Sequence, residues 1–263
     1  MKTMKSFLLS IFLMLLISTA SFSETVIKIT NGEWEPYLSQ YAYEYGLASH
    51  IVSESFKLEG IVVKWGFYPW KRSYELAKKG KWDASAVWWP TKETKQDFLI
   101  SDPVVSTSFV FFYVKGRQFN WDSFNDLKGL NVGYTIGYGY GKEFMTAVKE
   151  KIFKIDKISS DEKNYKKLLH GRTDIFPNDP IVGYAQIRNS FTPEDVKRFT
   201  HHPKEFEKNT LNLIISKNCK NGRFFLEKFN SGLEKLKKSG RIDQMVKDLN
   251  AGKYDKQKDK WKK

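Results

Sequence analysis

The most constraining feature of the chain is a repeated order of strand and helix near its beginning. Segment 25–30, TVIKIT, alternates apolar and polar residues as a strand does, and segment 61–65, IVVKW, is too short and too β-branched for a helix. A helix is predicted between them, around Ile51, and another over Lys71–Lys79, where Gly80 ends it. This order predicts an α/β fold in which crossover helices connect the strands of a sheet.

The remainder of the chain predicts a second unit of the same kind. A strand, 130-LNVGY-134, leads through 137-GYGYG-141 into a helix, and the later run 211-LNLIIS-216 resembles a strand that returns to the first unit. Two helices with 3.6-residue apolar spacing follow and are split at Gly240. We place the break between the units at Lys115–Arg117. The layout predicts two lobes joined by two chain crossings, with lobe 1 formed by 24–114 plus 211–263 and lobe 2 by 115–210.

The first 23 residues have the pattern of a cleavable export signal. Lys2 and Lys5 precede an apolar run over 7–17, and Ser21 and Ser23 are small residues before a cut. The run is shorter than the ~20 residues that span a bilayer. We therefore predict a signal peptide at 1–23 and a periplasmic mature protein, with a retained anchor as the alternative.

Charge and rare residues exclude several other functions. The net charge of +14 falls to +12 when Lys2 and Lys5 are removed, but the basic residues are dispersed among acids, which argues against nucleic-acid or lipid binding. The single cysteine, Cys219, has no internal partner and no placed base. His201 and His202 lack further ligands at metal spacing, so no metal site is predicted.

The segment Gly80–Pro103, GKWDASAVWWPTKETKQDFLISDP, resembles a known signature, "GkyD…T.eR…dFS.P". That signature belongs to the periplasmic solute-binding proteins of ABC importers, in the family that binds polar amino acids. Related motifs run in family order from Gly32–Tyr37 to Asn230–Gly240, nearly the whole mature chain. The chain departs from the family at Thr94, where the family usually has an arginine that clamps a substrate α-carboxylate.

The resemblance implies a type II periplasmic-binding-protein fold whose lobes close on a small-molecule solute and then dock onto a membrane permease. Hinge closure of this kind is a population shift driven by contacts that only the closed state makes. We expect a monomer without a cofactor.

Asp179 is the leading candidate for contact with the solute. The phrase 171-GRTDIFPND-179 looks like the family's "GrvDa.v.D", whose last aspartate receives a substrate ammonium group. The alternative is that Asp179 caps the helix that starts at Pro180, because an aspartate before a first-turn proline is a common N-cap. Both roles can coexist.

A glycine loop and a threonine are further candidates. Gly137, Tyr138 and Tyr140 belong to a loop before a helix, and similar loops in the family bind carboxylates through free amides and the helix dipole. Thr91 matches the family's threonine before the usual "eR" and is a candidate for a hydrogen bond to the solute. Its alternative role is to cap a helix or end a strand.

The missing arginine leaves two interpretations open: the solute has no α-carboxylate, or another cation replaces the clamp. Arg72, at the start of a helix that should border the cleft, is the candidate replacement, because its planar fork binds a carboxylate at two points. The predicted aromatic lining, which could stack on a flat solute or face a cation, consists of Trp34, Tyr37, Trp88, Trp89, Tyr138 and Tyr140. Because neighbours in an extended segment point to opposite sides, we expect only one of Trp88 and Trp89 to touch solute.

Two other functional classes share this scaffold. One is a periplasmic enzyme similar to dehydratases acting on cyclic acids, for which Glu33 and Glu35 are available acids, but no nucleophile, base and orienting group can be assembled by spacing. The other is a sensory receptor, which would use the same closure. The sequence therefore predicts a non-catalytic receptor for a polar, amine-bearing solute.

Overall fold

The computed structural model describes residues 24–136 and 139–255, which contain alternating strands and helices. The predicted signal peptide at 1–23 lies outside these residues. The strands are β1 Thr25–Asn31, β2 Ile61–Phe67, β3 Ala84–Trp88, β4 Phe98–Val114, β5 Asn131–Thr135, β6 Lys154–Ile158, β7 Phe176–Asn178, β8 Phe199–His201 and β9 Phe206–Ser216. The helices are α1 Leu47–Lys57, α2 Trp70–Lys78, α3 Lys92–Asp97, α4 Lys142–Lys149, α5 Asp161–Leu169, α6 Pro180–Ser190, α7 Pro193–Val196, α8 Gly222–Lys238 and α9 Arg241–Asn250. Among the helices of residues 24–136 and 139–255, none combines the length and the apolar composition of a transmembrane span.

The main sheet has the strand order β2-β1-β3-β9-β4-β7, and β8 also pairs with β4. Strand β1 is parallel to both β2 and β3, while β9 is antiparallel to β3 and β4. Parallel neighbours need crossover connections, which α1 and α2 supply. Strands β5 and β6 form a separate parallel pair, joined to the segment before β7 by a bridge between Val132 and Ile175. The predicted α/β class is confirmed.

Apolar side chains form separate clusters at the two ends of the long strands. The largest cluster packs β1 and β3 against α1 and α8, with Ile29, Phe56 and Phe229 fully buried. Two further clusters contain Phe111 and Phe112, which follow each other in β4 and face opposite sides of it. Neighbouring strand residues point to opposite faces, so one strand supplies both clusters.

Strands β4 and β9 are the two segments in which the chain passes between the two predicted lobes. The beginning of β4 pairs with the end of β9, as in Phe98 opposite Ser216, whereas its end pairs with β7 and β8. Register shifts interrupt the β4–β9 ladder, one of them between Thr107 and Phe109. The predicted lobe boundaries at residues 115 and 210 stay predictions.

A close helix contact stabilises the largest cluster. Gly232 of α8 lies against the backbone carbonyl of Ser55 in α1, where any Cβ would overlap that oxygen. The carboxylate of Glu59, just after α1, forms ion pairs with Lys228 and Lys235 of α8. The two helices can approach this closely only because residue 232 has no side chain.

We expect Gly232→Ala to lower the free energy of unfolding by about 1–3 kcal/mol, because the added methyl forces α1 and α8 apart. Urea denaturation measures the change. Glu227→Ala, at an exposed position of the same helix, is the control and should stay within about 0.5 kcal/mol of the parent. Equal stability of the two variants would contradict the contact.

Candidate functional site

Asp179 begins α6 and is buried, with 4% of its surface exposed. Its Oδ1 accepts the backbone N–H groups of Ile181, at 2.9 Å, and Val182, at 3.0 Å, and Pro180 occupies the first helical position. The capping role considered from the sequence is therefore present. These bonds use one carboxylate oxygen, so capping does not exclude a second partner.

The surroundings of Asp179 are unfavourable for its charge. Burial raises the pKa of its carboxyl to about 6, and backbone N–H groups of Val182, Ile181 and Ser108 only partly oppose that rise. Within residues 24–136 and 139–255, no lysine, arginine or histidine forms an ion pair with this carboxylate. A buried charge without an opposite charge is costly, and a cation supplied from outside would relieve that cost.

One of these donors comes from the crossing strand β4. Ser108 lies two residues before Val110, which pairs with Asn178 of β7, and its N–H donates to Asp179. On the opposite edge of β4 the ladder with β9 is irregular and contains a bulge: Thr107 pairs with Asn209 and Phe109 pairs with Phe206, so Ser108 stands opposite two residues of β9. The Ser108 side chain bonds Glu205, whose pKa is lowered mainly by its 2.6 Å ion pair with Lys208.

Three predicted aromatic residues lie in or against the cluster that α6 joins. The rings of Trp34 and Tyr37 are 4.9 Å apart, and Tyr37 is 2% exposed. Burial, and secondarily the charge of Asp179, raise the pKa of Tyr37, so these two groups are near one another. Trp89 packs against the same cluster, as do Ile181 and Val182 at the start of α6.

The indole of Trp89 has an unused donor. Its Nε1–H is buried and has no hydrogen-bond partner in the described part of the chain. The ring also lies beside Gly139, where a Cβ would be 3.8 Å from Cζ3. A buried donor without an acceptor costs about 1–3 kcal/mol, and a solute atom could supply that acceptor.

Trp88 belongs to a different cluster. It packs edge-on against Trp70 and Tyr74, and its Nε1–H donates to Ser85 Oγ at 2.8 Å. Trp88 and Trp89 thus pack into separate clusters, as adjacent residues of an extended segment are expected to do.

Thr91 and Thr94 hydrogen-bond to each other. The Thr91 hydroxyl accepts the Thr94 N–H at 3.2 Å and caps α3, while the Thr94 hydroxyl donates to the Thr91 carbonyl at 2.9 Å. Thr94 is 5% exposed. The position at which the family usually has an arginine is therefore held by a short side chain that bonds its own backbone turn.

The other predicted residues lie elsewhere or are not described. Arg72 is exposed, with its guanidinium 5.0 Å from the centre of the Tyr68 ring. Tyr140 is fully buried, and its hydroxyl accepts the Thr135 N–H at 3.0 Å. Gly137 and Tyr138 lie outside the described residues. The structure thus brings Tyr37 close to both Trp34 and Asp179, while Trp89 packs against the same large cluster. The solute roles of all ten residues stay predictions.

Glu207 lies beside the glycine loop 137–141, a position that the sequence did not indicate. Gly141, with φ of 86°, precedes α4, and the Glu207 carboxylate lies directly against it. Glu207 belongs to the bulge and has a φ of 48°, which is uncommon for a residue with a side chain. The sequence carries no signal for this contact, because it depends on a strand irregularity.

Two contacts connect α6 to the beginning and end of the described chain. Arg188 donates twice to Asp255, at 3.1 and 3.2 Å, and Asn189 donates to Glu35 at 3.4 Å. Both partners of α6 lie in segments that the sequence assigns to lobe 1. The helix whose first residues are capped by the buried Asp179 is thus also bound to both of these segments through Arg188 and Asn189.

The sequence profile of one protein family, described as bacterial extracellular solute-binding proteins, family 3, matches residues 27–251. The chain belongs to this family. None of the curated protein sequences compared with it matches. The solute-binding protein is thus a receptor rather than an enzyme, as predicted.

Solved structures confirm the predicted two-lobed, type II fold of the solute-binding protein. Substrate binding domain 2 of GlnP from Lactococcus lactis, in an open conformation, aligns with a TM-score of 0.67 and 19% identity over 88% of this chain and 96% of that one. A mutant of ArgBP from T. maritima aligns with a TM-score of 0.63 and 19% identity over 87% and 96% of the two chains. The GluR0 ligand-binding core from Nostoc punctiforme, with L-glutamate, aligns with a TM-score of 0.62 and 18% identity over 85% and 98%.

Asp179 should make the stability of the solute-binding protein depend on pH. Its raised pKa means that the folded state binds more protons than the unfolded state between pH 4 and 6, so stability falls as pH rises through that window. An asparagine at this position would keep the cap but carry no charge. Relative to Asp179→Asn, the parent should therefore lose about 1–3 kcal/mol of unfolding free energy between pH 4 and pH 7.5.

Chemical denaturation at several pH values measures this difference. Asp243→Asn, on the exposed side of α9, is the matched control and should follow the parent at every pH. Parallel curves for Asp179→Asn and the parent would contradict the buried, unpaired carboxylate.

Proposed function

We propose that the protein is a periplasmic receptor that captures a small, polar, amine-bearing solute between its lobes for the permease of an ABC importer. The observation that carries this proposal is the buried Asp179 carboxylate, which lacks a cation among the described residues. An ammonium group supplies both the opposite charge and hydrogen-bond donors. A charge-assisted bond of this kind contributes about 1.5–3 kcal/mol.

The aromatic side chains near Asp179 would form the rest of the lining. We propose that Trp34, Tyr37 and Trp89 contact the body of the solute, because all three pack against the cluster that receives the start of α6. Aromatic faces attract cations, and the attraction grows when water is excluded. The unpaired indole N–H of Trp89 would meet an acceptor atom of the solute.

Closure would come from contacts between the proposed lobes, 24–114 with 211–263 and 115–210. The pairs Arg188 with Asp255 and Asn189 with Glu35 join these two sets of residues. Such contacts form only when the lobes approach, so a solute that bridges the lobes shifts the population towards the closed state.

Delivery to a membrane permease rests on the family and on the export pattern of residues 1–23. Among the similar structures is the second substrate binding domain of a putative amino acid ABC transporter from Streptococcus pneumoniae, with a TM-score of 0.67 and 18% identity. We propose that the mature protein acts as a periplasmic monomer that presents its closed form to the permease.

Solute binding should change tryptophan fluorescence, because Trp34 and Trp89 lie at the proposed site. We expect micromolar affinity, about −8 kcal/mol, for at least one member of a panel of amino acids, amines and short peptides. Asp179→Asn, which keeps the cap, should weaken that binding by about 2–5 kcal/mol. Asp243→Asn should bind like the parent. Absence of binding across the panel, or parent-like affinity in Asp179→Asn, would contradict the proposal.

A further inference from the structure

The charges around the candidate site are unequal. Asp179 has no cation partner in the described chain, and Glu207 places a further carboxylate beside Gly141, in the loop whose Gly139 lies beside Trp89. Glu207 accepts from a neutral amide, that of Asn209, at 3.1 Å. Within the described residues neither acid forms an ion pair, and the two lysines that line the same cavity as Glu207, Lys204 and Lys208, pair with Asp122 and Glu205 instead.

Among the described buried residues around Asp179, no cation pairs with its carboxylate. Lys208 is 2.6 Å from Glu205, and Arg188 is paired with Asp255. Arg72 forms no ion pair in the described chain, but its guanidinium is exposed and lies over the Tyr68 ring. A carboxylate on a solute that reaches Asp179 would thus meet a like charge without a compensating cation among those buried residues, and like charges at short range repel.

The two places at which the family resemblance puts a solute carboxylate are both less favourable for one here. Thr94 uses its hydroxyl on the Thr91 carbonyl and offers no cation. At the other place, the N-terminus of α4, the Glu207 carboxylate lies against Gly141. A helix N-terminus favours one negative charge, and here the protein supplies that charge itself.

The remaining free donor is neutral. The indole N–H of Trp89 is buried and unpaired within the described residues. One neutral N–H suits a neutral acceptor, such as a hydroxyl or amide oxygen, and does not offset a full negative charge. The Trp89 N–H and the rings of Trp34 and Tyr37 would together suit a positively charged solute that carries an uncharged hydrogen-bond acceptor.

From these contacts we infer that the solute is an organic cation that carries no carboxylate: an amine, or an amine with a neutral acceptor such as an amide. This inference rests on the proposed function and specifies its substrate class. It makes the protein a member of an amino-acid-binding family whose site excludes free amino acids by charge.

Matched triads of compounds test the inference, because each triad changes only the carboxylate. The probes are L-arginine, L-argininamide and agmatine; L-lysine, L-lysinamide and cadaverine; and L-tyrosine, L-tyrosinamide and tyramine. Fluorescence titration and calorimetry of the full mature chain measure the dissociation constants. In the triad that binds best, we expect the amide or the decarboxylated amine to bind at least a hundredfold more tightly than the acid.

The two kinds of failure are distinguishable. An acid that binds as tightly as its amide would overturn the inference while leaving the receptor proposal intact. If no triad member and no member of the wider solute panel binds, the proposed function fails and this inference fails with it.

Glu207→Gln tests the source of the exclusion. The glutamine keeps the size of the side chain and its bond to Asn209 but removes the charge beside Gly141. We expect the preference for amide over acid to shrink at least tenfold, mainly through tighter binding of the acid. Glu162→Gln, an exposed change in α5, should keep the parent's preference. An unchanged preference in Glu207→Gln would overturn the role of Glu207.

Discussion

The candidate site depends on one carboxylate, that of Asp179, which is buried and accepts hydrogen bonds from neutral backbone N–H groups. Asp179 must begin α6, because its Oδ1 satisfies two N–H groups that a helix leaves without internal partners. The same burial disfavours its ionised form and raises its pKa to about 6. Capping fixes the position of the side chain. Because the carboxylate is buried and no cation of the described chain pairs with it, a cation from outside would stabilise its ionised form. Under the proposed function, the same residue therefore caps the helix and binds the solute.

The two crossing strands provide the setting for that residue. Val110 of β4 pairs with Asn178 of β7, and two residues earlier the Ser108 N–H donates to Asp179. On the opposite edge of β4, the bulge in β9 contains Glu207, whose φ is 48° and whose carboxylate lies against Gly141. Strand β4 thus contributes to the surroundings of Asp179, and the bulge of β9 contributes to those of the loop before α4.

The sequence predicted the features that depend on local patterns. Periodicity indicated β1, β2 and the pair α8 and α9, which separate at Gly240 with φ of 71°. Proline after Asp179 indicated the cap. The cap that Thr91 provides for α3 is also local and was one of the two roles expected for it. The burial of Tyr140 and the contact of Glu207 with Gly141 were not predictable in this way, because each depends on register or on segments distant in the chain.

Burial of an unpaired acid lowers the stability of the folded protein, and under the proposed function the same burial favours solute capture. A neutral residue at position 179 would cost less in the folded state, yet it would give a cation no advantage over water. In the proposed receptor, a cation that pairs with the ionised carboxylate supplies the opposite charge that the described chain does not, close to the ring of Tyr37. A solute carboxylate would instead meet the like charge of Asp179. Affinity and selectivity would then have the same physical origin, the absence of a cation beside Asp179 within the described chain.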